Sequence, residues 1–189
     1  IAADDSATAS ENATLSRNAA DGVLANDIDP DGDGLSVVQV NGQANAVGAS
    51  VAGTRGGLFT IGSDGGYTFT TNNGFDTLGA GQTATTSVTY SIADDDGGMT
   101  TATLTVTVTG TNDAPRAVAT IGDTAARVGD PVLLTTADAF ADADGNDRLT
   151  YTADNLPAGL SIDADTGVIG GTLGAGNDVD GPTTIAVTA

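Results

Sequence analysis

The chain has 189 residues and a formal net charge of −20, with no cysteine and no histidine. Without cysteine there is no disulfide framework, and without histidine the chain lacks the commonest catalytic base and the commonest zinc or copper ligand. Ser-His-Asp and Cys-His chemistry are therefore excluded on parts alone, and so acidic a surface repels nucleic acid and anionic lipid. No apolar run reaches the roughly 18 residues that a membrane span needs, and no basic-then-apolar leader opens the chain. It starts and stops abruptly, as an excerpt of something longer does.

In chain order, Ile1 to Leu15 is polar and Thr/Ala-rich and reads as a short edge strand. The pair Val23-Leu24 precedes an acidic stretch, Asp27-Ile28-Asp29-Pro30-Asp31-Gly32-Asp33-Gly34. Leu35 to Val40 is rich in β-branched residues and bounded by turn residues, which predicts a strand. Leu58-Phe59-Thr60-Ile61 and Tyr67-Thr68-Phe69-Thr70 flank Ser63-Asp64-Gly65-Gly66, the pattern of a hairpin. Val88, Tyr90 and Ile92 alternate with Thr89 and Ser91, and Ala102, Leu104, Val106 and Val108 alternate with Thr103, Thr105 and Thr107. A period of two predicts a sheet with one buried and one wet face. Asp94-Asp95-Asp96-Gly97-Gly98 is the hairpin tip between these strands. No window shows a helical period, so the spacing of short strands predicts an all-β fold of tandem sandwiches.

Thr111-Asn112-Asp113-Ala114-Pro115 closes the first module, because proline cannot continue a sheet ladder. The expected modules are residues 1–112 and 113–189. In the second, Val132-Leu133-Leu134, Leu149-Thr150-Tyr151-Thr152, Val168-Ile169 and Thr184 to Thr188 are strand candidates. The same order of events repeats: apolar pair, Asp/Gly loop, strand. The final hairpin of module one has no counterpart before Ala189, so the second module is expected to be incomplete at its C-terminus and to expose an edge.

The acid is of one kind: 24 aspartates against a single glutamate, Glu11. High-salt adaptation explains the total charge but not the clustering. Short carboxylates in Gly-rich loops suit a hard cation such as Ca2+. Asp27-x-Asp29-x-Asp31-Gly32 matches the first half of an EF-hand loop, but Val38 stands where the twelfth-position Glu belongs and a strand follows. The four carboxylates Asp27, Asp29, Asp31 and Asp33 repel one another without a cation. Asp94 and Asp96, at the hairpin tip, are expected at the same pole, with Asp5 at the start of the chain. Asp142, Asp144 and Asp147 occupy the matching loop of module two, where Asn112 and Asp113 are expected to complete a site. The bland reading of each cluster is a solvated turn. Leu173 to Asp180 has the look of one calcium-binding β-roll turn, but a single copy reads as a loop. Asp163 and Asp165 could pair as glycosidase carboxylates; a hairpin turn, with no tryptophan anywhere to floor a sugar site, fits better.

The stretches Ala25-Asn26-Asp27 through Leu35, Gly66-Tyr67-Thr68-Phe69, Val88 to Asp94 and Thr111 to Pro115 make module one resemble the bacterial cadherin-like (VCBS-type) repeats of large RTX-type or biofilm-associated adhesins. Module two, through Phe140 to Asp144, Leu149-Thr150-Tyr151, Leu156 to Leu160 and Thr166 to Thr172, is similar to the dystroglycan-type cadherin-like domain. The resemblance implies tandem Ig-like sandwiches, Ca2+ at domain junctions, and a secreted or cell-surface location. Asn112-Asp113-Ala114-Pro115 is similar to the cadherin linker, one residue shorter. The chain departs from animal cadherins in lacking their glutamate-bearing motifs and any tryptophan for strand exchange.

The expected function is therefore not enzymatic. It is a calcium-rigidified spacer in cell adhesion and biofilm formation, whose partners are neighbouring repeats of the same long chain. One alternative is a calcium-dependent lectin module that binds an extracellular polysaccharide. Another is an accessory domain of a larger secreted enzyme.

Overall fold

A computed structural model describes residues 1–175 and 183–189. The chain divides into two compact units, Ile1–Asn112 and Asp113–Ala189. Both are all-β. Helical structure among the described residues amounts to three single 3-10 turns, at Ala19–Asp21, Ala44–Ala46 and Ala137–Ala139.

Unit 1 carries β1 (Asp5–Ser10), β2 (Thr14–Arg17), β3 (Ser36–Val40), β4 (Ser50–Ala52), β5 (Leu58–Ile61), β6 (Tyr67–Thr70), β7 (Thr83–Ala93) and β8 (Met99–Thr109). They form two four-stranded sheets, ordered β1-β8-β7-β3 and β2-β6-β5-β4. The β7–β8 hairpin is the frame of the first sheet, paired from Thr83↔Thr109 to Ala93↔Met99. Its period-two pattern sends Val88, Tyr90, Ile92, Leu104, Val106 and Val108 into the core and turns Thr103, Thr105 and Thr107 to the other, half-buried face, while Thr86 of β7 is buried. From the opposite sheet come Phe59, Ile61, Tyr67 and Phe69, all buried. Phe59 and Phe69 lie 4.7 Å apart between ring centroids, and Phe75 meets Phe69 edge-on at 6.5 Å. Such contacts add to the burial of large apolar surface.

The N-terminal segment differs from the single edge strand expected of it. The chain runs as β1 beside β8, in parallel, then crosses to the other sheet as β2 beside β6. The crossing is pinned at Glu11: its backbone N–H donates to Thr109 O, and its carbonyl accepts from the buried Thr71 hydroxyl. The polar Thr/Ser/Ala composition of residues 5–17 hides the break, because neither half has a strong apolar face of its own.

Unit 2 carries β9 (Arg116–Ala117), β10 (Pro131–Thr135), β11 (Phe140–Ala141), β12 (Thr152–Asp154), β13 (Leu160–Ile162), β14 (Val168–Thr172) and β15 (Ala186–Thr188). The sheets are β10-β14-β13, β11-β9 and β12-β15. The strand expected at Leu149 begins only at Thr152. Tyr151 is instead buried as an anchor, its N–H bonded to Ala164 O and its ring edge-on to Phe140 at 6.0 Å. Within the Leu173–Asp180 loop, residues from Gly176 onward fall outside those described.

Phe69 is fully buried at the centre of the unit 1 core and touches two other rings. Phe69→Ala is expected to lower the stability of unit 1 by about 3–5 kcal/mol. In urea unfolding followed by hydrogen exchange, the unit 1 transition moves to lower urea and that of unit 2 stays in place.

Candidate metal centre

The loop after β11 in unit 2 gathers three carboxylates. One oxygen each from Asp142, Asp144 and Asp147 lies within 4.8 Å of the others. Backbone hydrogen bonds fold the loop into this shape. Asp142 Oδ1 accepts from Asp144 N–H at 2.9 Å, and Asp144 O accepts from Asp147 N–H at 3.1 Å. Asp144 is the pivot, only 3 % exposed. Its Oδ2 accepts from the Asp113 N–H at 2.9 Å, while its Oδ1 is buried with no hydrogen-bond partner. A buried carboxylate oxygen left in this state is costly unless charge or hydrogen bonding compensates it. The one ion pair among the described residues, Arg148 with Asp165 at 3.3 Å, lies outside the trio.

The trio fits a hard cation. Calcium takes carboxylate oxygens at about 2.3–2.6 Å, so oxygens on opposite sides of the ion stand up to about 5 Å apart, and the observed spread lies inside that limit. Asp113 is held at this centre by its amide. Asn112 is the last residue of unit 1 and is exposed.

Unit 1 has a related arrangement where its chain begins. Asp27 Oδ1 accepts from Ala3 N–H at 2.7 Å, and Asp27 Oδ2 is buried without a partner. Thus Asp27 and Asp144 each spend one oxygen on an amide near the start of their unit and keep the other free. Asp5 stands beside this group. The fully buried Tyr90 hydroxyl lies 2.7 Å from Asp5 Oδ2, 3.0 Å from Ala3 O and 3.1 Å from Val23 O. One hydroxyl proton serves one of these acceptors. Burial raises the pKa of Asp5, with Tyr90 acting against it and the Asp27 charge adding to it. Burial likewise raises Asp27, and the Ala3 amide opposes the shift. Burial, then the nearby Asp5, pushes the Tyr90 phenol well above its ordinary value.

The rest of the acidic stretch is organised around Asp29. Its Oδ1 accepts from the N–H groups of Asp31, Gly32 and Asp33 at 2.8, 3.0 and 3.2 Å. These amides, that of Asp33 first, hold its pKa below the ordinary carboxylate range. Gly32 turns the loop at φ +87°. Asp27 and Asp29 therefore work in opposite directions, one towards the start of the chain and one into its own loop. At the β7–β8 tip, Asp94 also folds inward: its Oδ1 accepts from Gly98 N–H at 2.7 Å, and a Cβ at Gly98 would sit 2.3 Å from its Oδ2. The tip residue beside the Asp29 loop is Asp95, whose Oδ2 would lie 3.9 Å from a Cβ at Gly34. Among the described residues, the only three carboxylates gathered closely enough to share an ion are Asp142, Asp144 and Asp147; Asp27, Asp29, Asp31, Asp33, Asp94 and Asp96 form no such trio.

Glu11 is the residue that pattern reading passed over. It is 1 % exposed. Its Oε1 accepts from the Thr111 N–H at 2.6 Å and the Thr111 hydroxyl at 2.7 Å, and its Oε2 is buried without a partner. All three orphaned buried side-chain oxygens among the described residues belong to carboxylates: Glu11, Asp27 and Asp144. The signal in the sequence was its singularity, one glutamate among 24 aspartates. At Asp163, Oδ1 accepts from Asp165 and Thr166 N–H groups at 3.0 and 2.9 Å, the geometry of a turn. The open groove of about 510 Å³ beside it is lined by Ser161, Ile162, Thr166, Val168 and Gly170, with no aromatic side chain.

Two outcomes follow from this geometry. Asp144→Asn is expected to weaken calcium binding to unit 2 by roughly 10-fold or more, read by calorimetric titration. Asp27→Asn keeps the oxygen that accepts from Ala3 and removes a charge whose folded pKa is raised above its unfolded value of 3.8. A carboxylate shifted this way destabilises the fold increasingly as pH climbs from the unfolded to the folded pKa, and not below both. Metal-free Asp27→Asn should therefore melt higher than wild type at pH 7 and lose that advantage when the pH falls below 3.8, in paired thermal scans.

Residues 114–189 match the family described as "Putative Ig domain". No curated protein sequence matches the chain significantly. Among solved structures, the extracellular cadherin domains 3–6 of protocadherin gamma B2 align at 16 % identity and TM-score 0.44, over 93 % of this chain and 44 % of that one. The extracellular domain of protocadherin gamma B4 aligns at 16 % and 0.46, over 94 % and 29 %. N-cadherin EC1-4 from Drosophila aligns at 14 % and 0.44, over 90 % and 39 %. The chain thus spans less than half the length of these structures. No helix among the described residues is long and apolar enough to cross a membrane. Residues 1–110, more than half the chain, match the family model of the bacterial cadherin-like domain, and with its all-β sandwich fold the chain belongs to the bacterial cadherin-like family.

Proposed function

We propose that these are calcium-rigidified repeat modules of a bacterial secreted or cell-surface adhesin, acting as a spacer in cell adhesion and biofilm formation. The observation that carries this reading is the orphaned Oδ1 of Asp144, buried among Asp142 and Asp147 while its other oxygen grips the amide of Asp113. Asp142, Asp144 and Asp147 would hold the ion, and Ca2+ would supply the positive charge that lets three carboxylates stay together. Asp5 and Asp27 would hold another where unit 1 begins. In this reading Asp113 serves through its backbone: fixing its amide stiffens the chain where unit 2 starts. Asp29, Asp31, Asp33, Asp94 and Asp96 are proposed as supporting acidic groups that raise the local cation concentration.

The partners in this reading are neighbouring repeats of the same long chain. Uncharged strands and acidic loops suit that role, because β7 and β8 contain no charged residue. No catalytic activity is proposed.

Ligand that binds only the folded state stabilises it, by about 2.7 kcal/mol at 100 times Kd. Millimolar calcium should accordingly raise the melting temperature of both units, and chelator should reverse the rise. Small-angle scattering is expected to report a longer, narrower distribution of dimensions with calcium than without. Unchanged melting and unchanged dimensions would remove the proposal.

A further inference from the structure

The two longest strands among the described residues, β7 and β8, carry no charged residue, although the chain has a net charge of −20. Both alternate apolar residues with Thr or Ser. A strand of that composition with an open edge is a template for pairing with another chain. On one side β7 is paired with β8 from end to end. On the other side β3 pairs only as far as Val40↔Tyr90. Residues 83–89 of β7 therefore run on past the end of that neighbour.

Two loop residues stand where a strand would. Asn41 donates its N–H to Thr89 O at 2.8 Å, as a further ladder residue of β3 would. The return bond goes to its side chain: Thr89 N–H donates to Asn41 Oδ1 at 3.1 Å. The backbone itself reverses at Asn41 and Gly42, with φ of +48° and +75°, and Val40 and Gln43 close this turn with two hydrogen bonds of 3.1 and 3.0 Å. Thr54, between β4 and β5, repeats the arrangement two residues along β7. Its N–H donates to Ser87 O at 3.1 Å, and Ser87 N–H donates to Thr54 Oγ1 at 3.1 Å. The buried Thr86 clasps this turn to β7, its hydroxyl donating to Gly56 O at 2.8 Å and accepting from Arg55 N–H at 3.2 Å. Residue 53 must be small for the clasp to close, because a Cβ on Gly53 would sit 2.3 Å from Thr86 Oγ1. Each side chain gives β7 the hydrogen bond of a paired strand and then ends the ladder.

We infer that the 83–89 edge of β7 is a pairing surface for a second copy of this chain, and that Asn41 and Thr54 hold it shut. Two such edges laid antiparallel are self-complementary: each offers the N–H and C=O groups of Ser87 and Thr89, and no like charges meet in the ladder because the strand has none. The net charge of the chain opposes the approach of two copies, but only over the screening length of the solvent. The two safeguards are therefore separate. Charge keeps copies apart at low salt, and the side-chain acceptors of Asn41 and Thr54 keep the edge closed when salt removes that repulsion. Their importance in a long chain of similar modules, where neighbouring edges lie at high effective concentration, rests on the repeat reading above. The closure itself involves no calcium.

The test is made in chelator on the 189-residue chain, so that its failure is separate from failure of the calcium reading. Asn41→Gly keeps the turn, since glycine adopts positive φ freely, and removes the acceptor for Thr89. Thr54→Val keeps the shape of the side chain and removes the acceptor for Ser87. In dilute solution the double variant should exchange its Ser87 and Thr89 amides roughly 10-fold faster or more than wild type, with the Val88 amide unchanged. At about 1 M sodium chloride, where the screening length is about 3 Å, it should sediment as a dimer and regain protection at both amides as concentration rises. Wild type and Thr54→Ser, which keeps the hydroxyl, should remain monomers. The inference is overturned if Ser87 and Thr89 are unprotected in wild type, if the double variant stays monomeric at every concentration, or if wild type dimerises as readily. Should the double variant not fold, Asn41→Gly alone decides: it should speed exchange at Thr89 and not at Ser87, and an unchanged Thr89 rate overturns the inference.

Discussion

A carboxylate oxygen that is buried and unpartnered is the constraint around which this protein is arranged. Transfer from water strips the group of its hydrogen bonds, and the loss is recovered only by a donor or a cation. Here the protein supplies a donor to one oxygen of each such group and withholds it from the other. Asp144 takes the Asp113 amide, Asp27 takes the Ala3 amide, and Glu11 takes both donors of Thr111. In each case the donor is close to an end of its unit. Protein donors thus fix the orientation of the carboxylate, and its second oxygen has no hydrogen-bond partner among the described residues.

The β framework makes such groups tolerable. The β7–β8 hairpin and the aromatic cluster of Phe59, Phe69 and Phe75 give unit 1 a closed core. Stability from that core offsets the cost of orphaned oxygens at its ends. Tyr90 links the two regions, with its ring in the core and its hydroxyl among Asp5, Ala3 and Val23. A change in charge at Asp5 or Asp27 is thereby felt by a core residue. Unit 2 has a thinner interior, with Tyr151, Ile169 and Ala139 its buried apolar residues among those described.

Much of this was legible in the residues. The alternation in 83–93 and 99–109 gave both strands and the face each buries, because a period of two admits one solution when one side is apolar. The Asp142–Asp147 loop was legible as a cluster because its aspartates alternate and a glycine follows. The roles within the clusters were not. Asp27 and Asp29 look equivalent in a DxD pattern, yet one turns to Ala3 and the other to its own loop, a choice made by where residues 1–3 lie. Asp94 is expected from the sequence at the same pole as Asp27 to Asp33, and the pattern gives no sign that its Oδ1 accepts from the Gly98 amide within its own turn. Glu11 left no periodic trace, since its partner Thr111 is 100 residues away.

The central claim, that a divalent cation completes the Asp142–Asp144–Asp147 centre, is met most directly by a crystal structure grown in millimolar calcium with anomalous data that identify the ion. The account predicts a calcium peak bonded to oxygens of all three residues at about 2.3–2.6 Å, with Asp144 Oδ1 among them and the Asp113 amide still bound to Oδ2. A map in which these carboxylates turn to water, with no peak between them, would contradict it.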